Sequence, residues 1–85
     1  MKLEQNFPNP FNPVTKINYS IHQPGLVKIL VYDMSGRLIQ QLVNEVKTIG
    51  SHSVEFNGNA FSSGTYFYSI TAGEFRETRQ MILIK

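Results

Sequence analysis

The strongest constraint on this chain is an alternation of apolar and polar side chains with a period of two, broken into short runs by turn-forming residues. From Thr15 onward, Ile17, Tyr19 and Ile21 alternate with Lys16, Asn18 and Ser20. Successive side chains of an extended strand point to opposite faces, so such a run describes a strand with one buried face. Pro24-Gly25 turns the chain. Over Leu26 to Asp33, Val27, Ile29 and Val31 share one face while Leu30 and Tyr32 make the other partly apolar, as expected of a central strand. Ser35-Gly36 supplies the next reversal, since glycine reaches positive φ without steric cost and serine favours turns.

Arg37 to Val43 is the ambiguous stretch. Leu38 and Leu42 fit a helical i, i+4 pair, whereas Leu38, Gln40 and Leu42 fit one face of a strand. So short a segment is a poor isolated helix, and a strand is expected. Beyond Ile49-Gly50, His52, Val54 and Phe56 alternate with Ser51, Ser53 and Glu55 up to the turn Asn57-Gly58-Asn59. After Ser62-Ser63-Gly64 comes an aromatic strand, Tyr66 to Ile70. Ala72-Gly73 then forms a hairpin turn into a last strand, Phe75 to Ile84. Six or so short strands with turn signals at intervals of about 8–12 residues describe an all-β sandwich or small Greek-key barrel.

With 85 residues the chain holds one domain, residues 1–85, divided into a lead-in (1–13) and the β-rich remainder (15–85). A domain this small buries roughly 60% of the surface its unfolded chain exposes, so one economical core must carry its stability. There is no cysteine, which removes disulfides, thiolate nucleophiles and cysteine-based metal sites. The lead-in Asn6-Phe7-Pro8-Asn9-Pro10-Phe11-Asn12-Pro13 can neither continue a helix nor donate a regular ladder, because proline lacks the amide hydrogen. It is expected to run extended with turns, anchored by Phe7 and Phe11, its asparagines bonding locally to backbone.

Charge and chemistry narrow the function further. The eight basic residues are scattered singly among acids for a net charge of +2, which is no nucleic-acid footprint. The longest apolar run, Met81 to Ile84, falls far short of the roughly 20 residues of a membrane helix, so membrane insertion is not expected. An export signal, if there is one, belongs to a longer precursor. Serines, His22, His52 and the single aspartate Asp33 supply the residue types of a hydrolase triad, but no serine sits in a nucleophile elbow and Asp33 fits a turn role. The histidines are too far apart in sequence to suggest a metal motif. Glu45, Glu55, Glu74 and Glu77 read as solvent-facing charges rather than a glycosidase pair. Asn18-Tyr19-Ser20 matches a glycosylation sequon, in a strand interior that suits it poorly. No catalytic residue, cofactor or metal is expected. One alternative stays open: Tyr32, Phe61 and Phe67 off the main core face would allow sugar stacking, as in a carbohydrate-binding or adhesive accessory sandwich of a secreted enzyme.

Several blocks together carry a family resemblance. Leu3 to Pro13 followed by Thr15 to Ile21, then Val31-Tyr32-Asp33-Met34-Ser35-Gly36-Arg37, Gly50 to Phe56, Ser63-Gly64-Thr65-Tyr66-Phe67-Tyr68 and Glu77 to Lys85, resemble in order and spacing the type A C-terminal sorting domains of the bacterial type IX secretion system. The motif positions are Asn6, Pro8, Asn9, Pro10, Phe11, Asn12, Pro13, Asp33, Gly36, Arg37, Gly64 and Tyr66. Gln80 departs from the pattern, where many members carry a second basic residue.

The resemblance implies an immunoglobulin-like β-sandwich of about six or seven short antiparallel strands at the C-terminal end of an exported cargo protein. It implies an address: a domain recognised in the periplasm, guided through an outer-membrane translocon, and in many members removed by a sortase-like protease as the cargo is anchored at the cell surface. For translocon recognition the expected residues are Arg79, Met81, Ile82, Leu83, Ile84 and Lys85. They would be read by strand addition along the last strand or by capture of its carboxyl end. The domain is expected to be monomeric, with exposed strand edges that allow weak self-association.

Overall fold

A computed structural model describes residues 1–85. It contains seven strands and no helix: β1 (Lys2–Leu3), β2 (Val14–Ile21), β3 (Gly25–Tyr32), β4 (Leu38–Lys47), β5 (Gly50–Asn57), β6 (Gly64–Ala72) and β7 (Phe75–Leu83). They form two antiparallel sheets, one ordered β1-β2-β5 and the other β4-β3-β6-β7. Sixteen buried apolar side chains fill the space between them. The inward faces of β2 and β3 are those the alternation assigns, Ile17, Tyr19 and Ile21 on β2 and Val27, Ile29 and Val31 on β3; β6 turns Tyr66, Tyr68 and Ile70 inward. This is the all-β, immunoglobulin-like class expected, with β1 as a short strand inside the lead-in.

β4 is a strand, but its core face is not the one its alternation suggests. Leu38 is 52% exposed and Gln40 is exposed, while Val43 is buried and Ile39 and Leu42 pack partly against the core. The pairing with β3 slips between Ile29 and Leu30 and again between Val31 and Tyr32. Each slip places an extra residue, Leu42 and Ile39 respectively, on β4. A bulge of this kind resets which side chains point inward. The inward residues are therefore Ile39, Leu42 and Val43, a spacing that no strict period of two produces.

The lead-in is a structural part of the sandwich. Leu3 is fully buried and pairs with Tyr19 across β1 and β2. Phe11 is 2% exposed, but Phe7 is 78% exposed and does not anchor the segment. Phe7 instead contributes its backbone, exchanging hydrogen bonds of 2.9 Å with Lys16. Asn6 takes the inward place expected of Phe7. Its amide N–H donates to the Tyr68 hydroxyl at 2.8 Å, and its side-chain Nδ2 donates to Pro8 O and to Thr15 Oγ1. The Tyr68 hydroxyl in turn donates to Glu4 O at 2.7 Å. Burying polar groups costs little only when they are bonded, and no buried side-chain nitrogen or oxygen lacks a partner here.

The C-terminal part of the β7 edge is consequently guarded. The Phe11 N–H donates to Ile82 O at 3.0 Å and the Ile84 N–H to Phe11 O at 2.9 Å, so Phe11 acts as a one-residue parallel strand beside β7. The Ile82 N–H donates to Asn9 Oδ1, and Gln5 Nε2 donates to Gln80 O. On this side the backbone from Gln80 to Ile84 is covered, which corrects the expectation of an open terminal edge. At the opposite edge of the same sheet, the two bulges of β4 hinder regular pairing with another strand.

Candidate functional site

One pole of the sandwich gathers residues from four distant parts of the sequence. The β3–β4 turn is closed by Asp33, whose Oδ1 accepts hydrogen bonds from the Ser35 N–H (3.0 Å), the Ser35 hydroxyl (2.7 Å) and the Arg37 N–H (3.0 Å). Its Oδ2 lies 3.2 Å from Arg37 Nε. These bonds favour the ionised carboxylate, the Ser35 hydroxyl first, and hold the Asp33 pKa below its usual value. Gly36 completes the turn at φ +88°, a conformation that is costly for any residue with a Cβ. Gly36→Ala is therefore expected to lower stability by about 1–2 kcal/mol, the backbone penalty for a left-handed residue. Nothing lies within 4 Å of the added methyl, so the cost is purely conformational. Gly25→Ala, equally open and outside that region, is the control in the same urea titration.

Beside this turn a surface depression is lined by Asp33, Met34 and Ser35 on one side and by Ser62 to Tyr66 on the other. Tyr66 is buried and its hydroxyl donates to Ser62 O at 2.6 Å, which fixes the approach to β6. The C-terminal segment is tied to the same loop: the Lys85 N–H donates to Ser63 Oγ at 2.9 Å and Lys85 Nζ to Asn59 O at 2.6 Å. Beneath them runs a chain of rings, Phe11 edge-on to Phe56 at 5.9 Å, Phe56 stacked on Phe61 at 5.8 Å, and Phe61 tilted against Tyr66 at 6.2 Å. Lead-in, β5, the β5–β6 loop and β6 thus meet in one aromatic cluster.

Gly58, which the sequence presents only as a turn residue, is the tightest point of this pole. An ideal Cβ there would lie 2.9 Å from Leu83 Cδ2 and 3.3 Å from Phe11 Cε2. Its N–H donates to Pro13 O at 2.8 Å. The close approach of three chain segments, rather than a turn angle, accounts for a glycine here.

The residues expected to be recognised divide by burial. Met81 and Leu83 are fully buried and belong to the core, whereas Ile82 (36%) and Ile84 (52%) are exposed, as is Lys85. Arg79 is half-buried, its Nε donating to Leu3 O at 2.9 Å and its Nη2 paired with Glu77 at 2.9 Å. Among the motif positions, Asn6, Asn9, Phe11 and Pro13 join the lead-in to β7, β2 and Gly58, and Asp33, Gly36, Arg37, Gly64 and Tyr66 build the pole. Pro8 contributes a carbonyl to Thr15 and Asn6, while Pro10 and Asn12 are exposed.

The chemical candidates stay dispersed. His52 stacks on Tyr19 at 5.5 Å and has Nε2 2.8 Å from Thr48 O. No group of three or more His, Asp or Glu side chains is drawn together. Of the aromatics considered for sugar stacking, Phe61 packs against the core cluster, while Tyr32 and Phe67 pair across β3 and β6 off the core face and are half-exposed. No curated protein and no solved structure matches the chain. A family model does match, that of the secretion system C-terminal sorting domain, over residues 5–85 and so over the lead-in, both sheets and the C-terminal segment. The chain therefore belongs to the family of secretion system C-terminal sorting domains, the sorting signals of type IX secretion.

Proposed function

We propose that this domain is a non-catalytic address read at the pole where its C-terminal segment is held, through Ile82, Ile84 and Lys85. Membership of the family makes it a cargo-attached signal recognised by type IX machinery and marks its cargo for the cell surface or the exterior. In the finer reading, an outer-membrane translocon engages the folded domain from the periplasm and a sortase-like protease then separates it from its N-terminal cargo. Met81 and Leu83 act by holding the strand in the core, and Arg79 by fastening it to Leu3. The carbohydrate-binding alternative has no comparable support.

The observation that carries this reading is the convergence of separate motif blocks on the last residues. The loop that receives Lys85 also borders the Asp33 turn, and Gly64 pairs with Leu83. The test uses a reporter fused ahead of residues 1–85 in a host with type IX machinery. Deleting residues 81–85 would remove two core side chains, so substitution at exposed positions is the cleaner change. The intact fusion is expected at the surface or in the medium, and Ile84→Ser with Lys85→Ala is expected to leave most of it in the periplasm with an unchanged circular dichroism spectrum. Undiminished export by that folded variant refutes recognition at these residues.

A further inference from the structure

The two outer faces of the sandwich differ in kind. On the three-stranded sheet the outward positions of β2 and β5 are almost all polar, and Lys16 lies directly across from Glu55. Such a face is hydrated and charge-balanced. On the four-stranded sheet a row runs across every strand as Leu38, Tyr32, Phe67 and Gln80, with Leu30 on the same face two residues along β3 and Ile82 two residues along β7. At a strand spacing of about 4.8 Å this row is roughly 14 Å wide. Leu38 and Ile82 are exposed, and Leu30, Tyr32 and Phe67 are partly so.

Charge on this face has one sign. Lys28 and Arg76 flank Thr71 in a second row, both exposed. No carboxylate stands at an outward strand position of this face: Asp33, Glu4 and Glu74 lie outside the strands, Glu74 in the β6–β7 turn at the border of a depression that Lys28 also lines, Glu55 is on the other sheet, and Glu45 and Glu77 pair with the inward positions Val27 and Ile70. The ion pairs of the molecule use Arg37, Lys47 and Arg79, which leaves Lys28 and Arg76 without an acidic partner.

We propose that this outer face, centred on Tyr32 and Phe67, docks the domain onto a protein of the outer-membrane secretion machinery whose surface is apolar and carries carboxylates opposite Lys28 and Arg76. The inference rests on the sorting reading and extends the recognised surface from Ile82 across the sheet. A second copy is the weaker occupant, because a face without carboxylates at its outward strand positions, stacked on itself in either direction, leaves its cations unpaired. Addition of a strand to this sheet is the weaker mode, because the lead-in covers β7 from Gln80 to Ile84 and bulges interrupt β4.

The experiment compares three variants of the reporter fused to the complete domain in a type IX host: Leu38→Lys with Phe67→Lys, Lys28→Glu with Arg76→Glu, and, on the opposite face, Asn18→Lys with Ser53→Lys. The first two are expected to reduce exported reporter about tenfold or more, the loss of at least one central contact, while the third exports normally. Thermal melts of the purified domains establish folding; if the apolar double variant melts early, the charge reversal at exposed positions carries the test alone. Normal export by a folded charge-reversal variant overturns the proposal. So does a dimer of the unmodified domain in sedimentation that these substitutions dissolve, since that assigns the face to a second copy. Failure of the unmodified fusion to export instead strikes the sorting reading itself.

Discussion

Replacing Phe11 with alanine is expected to cost the domain about 3–5 kcal/mol, whereas the same change at Phe7, four residues earlier in the same motif, is expected to move stability by about 0.5 kcal/mol or less. Phe11 is 2% exposed and touches Phe56 edge-on, while the Phe7 ring is 78% exposed and only its backbone is engaged. A loss of that size is a large share of the roughly 5–15 kcal/mol that holds a small domain together. It has a second consequence. The Phe11 ring anchors the backbone that covers Ile82 and Ile84, so Phe11→Ala frees the outer edge of β7 and is expected to make the domain self-associate. Urea titration measures the first effect and sedimentation velocity the second. Equal losses for the two phenylalanines would contradict the burial pattern, and a stable, strictly monomeric Phe11→Ala variant would contradict the guarded edge.

The same pair of residues marks where the sequence stops being legible. Within β2 and β3 a period of two tells which side chains enter the core, because an extended backbone imposes it on every residue. The lead-in has no such period: prolines interrupt the ladder, and Phe7 and Phe11 are chemically equivalent by composition. Which ring turns inward is decided by pairing between Phe11 and Leu83, a contact 72 residues apart in sequence. β4 fails for a related reason, since its two bulges break the strand period and move the core face from Leu38 and Gln40 to Ile39 and Val43. Asp33 and Gly36 were readable as a turn because their bonds are local. The burial of Asn6, the close packing at Gly58 and the attachment of Lys85 to Ser63 are all long-range, and nothing in the neighbouring residues announces them.

Raising the pH from 10 to 12 is expected to remove about 2 kcal/mol of stability through Tyr68 alone. Its side chain is fully buried, and that burial pushes the phenol up to about 12, against lesser opposing effects from the Asn6 N–H and Arg79. The sign follows from proton binding. Below pH 10 both states keep the proton and Tyr68 adds no pH dependence. Between about 10 and 12 the unfolded chain ionises first, so each step upward favours unfolding, until the folded state also ionises. Tyr19, whose phenol is also raised by burial, adds to the decline in the same direction. Tyr68→Phe separates the contributions. At pH 8 this variant is expected to be less stable by about 1–3 kcal/mol for each group it leaves unpaired, namely the Asn6 N–H and the Glu4 carbonyl. Its loss between pH 10 and 11.5 should nevertheless be the smaller of the two, so the urea midpoints of variant and parent converge as the pH rises. Parallel midpoints across that range would mean that Tyr68 ionises as readily in the folded domain as in the unfolded chain, and that its hydroxyl is not the sealed link between lead-in and β6 described above.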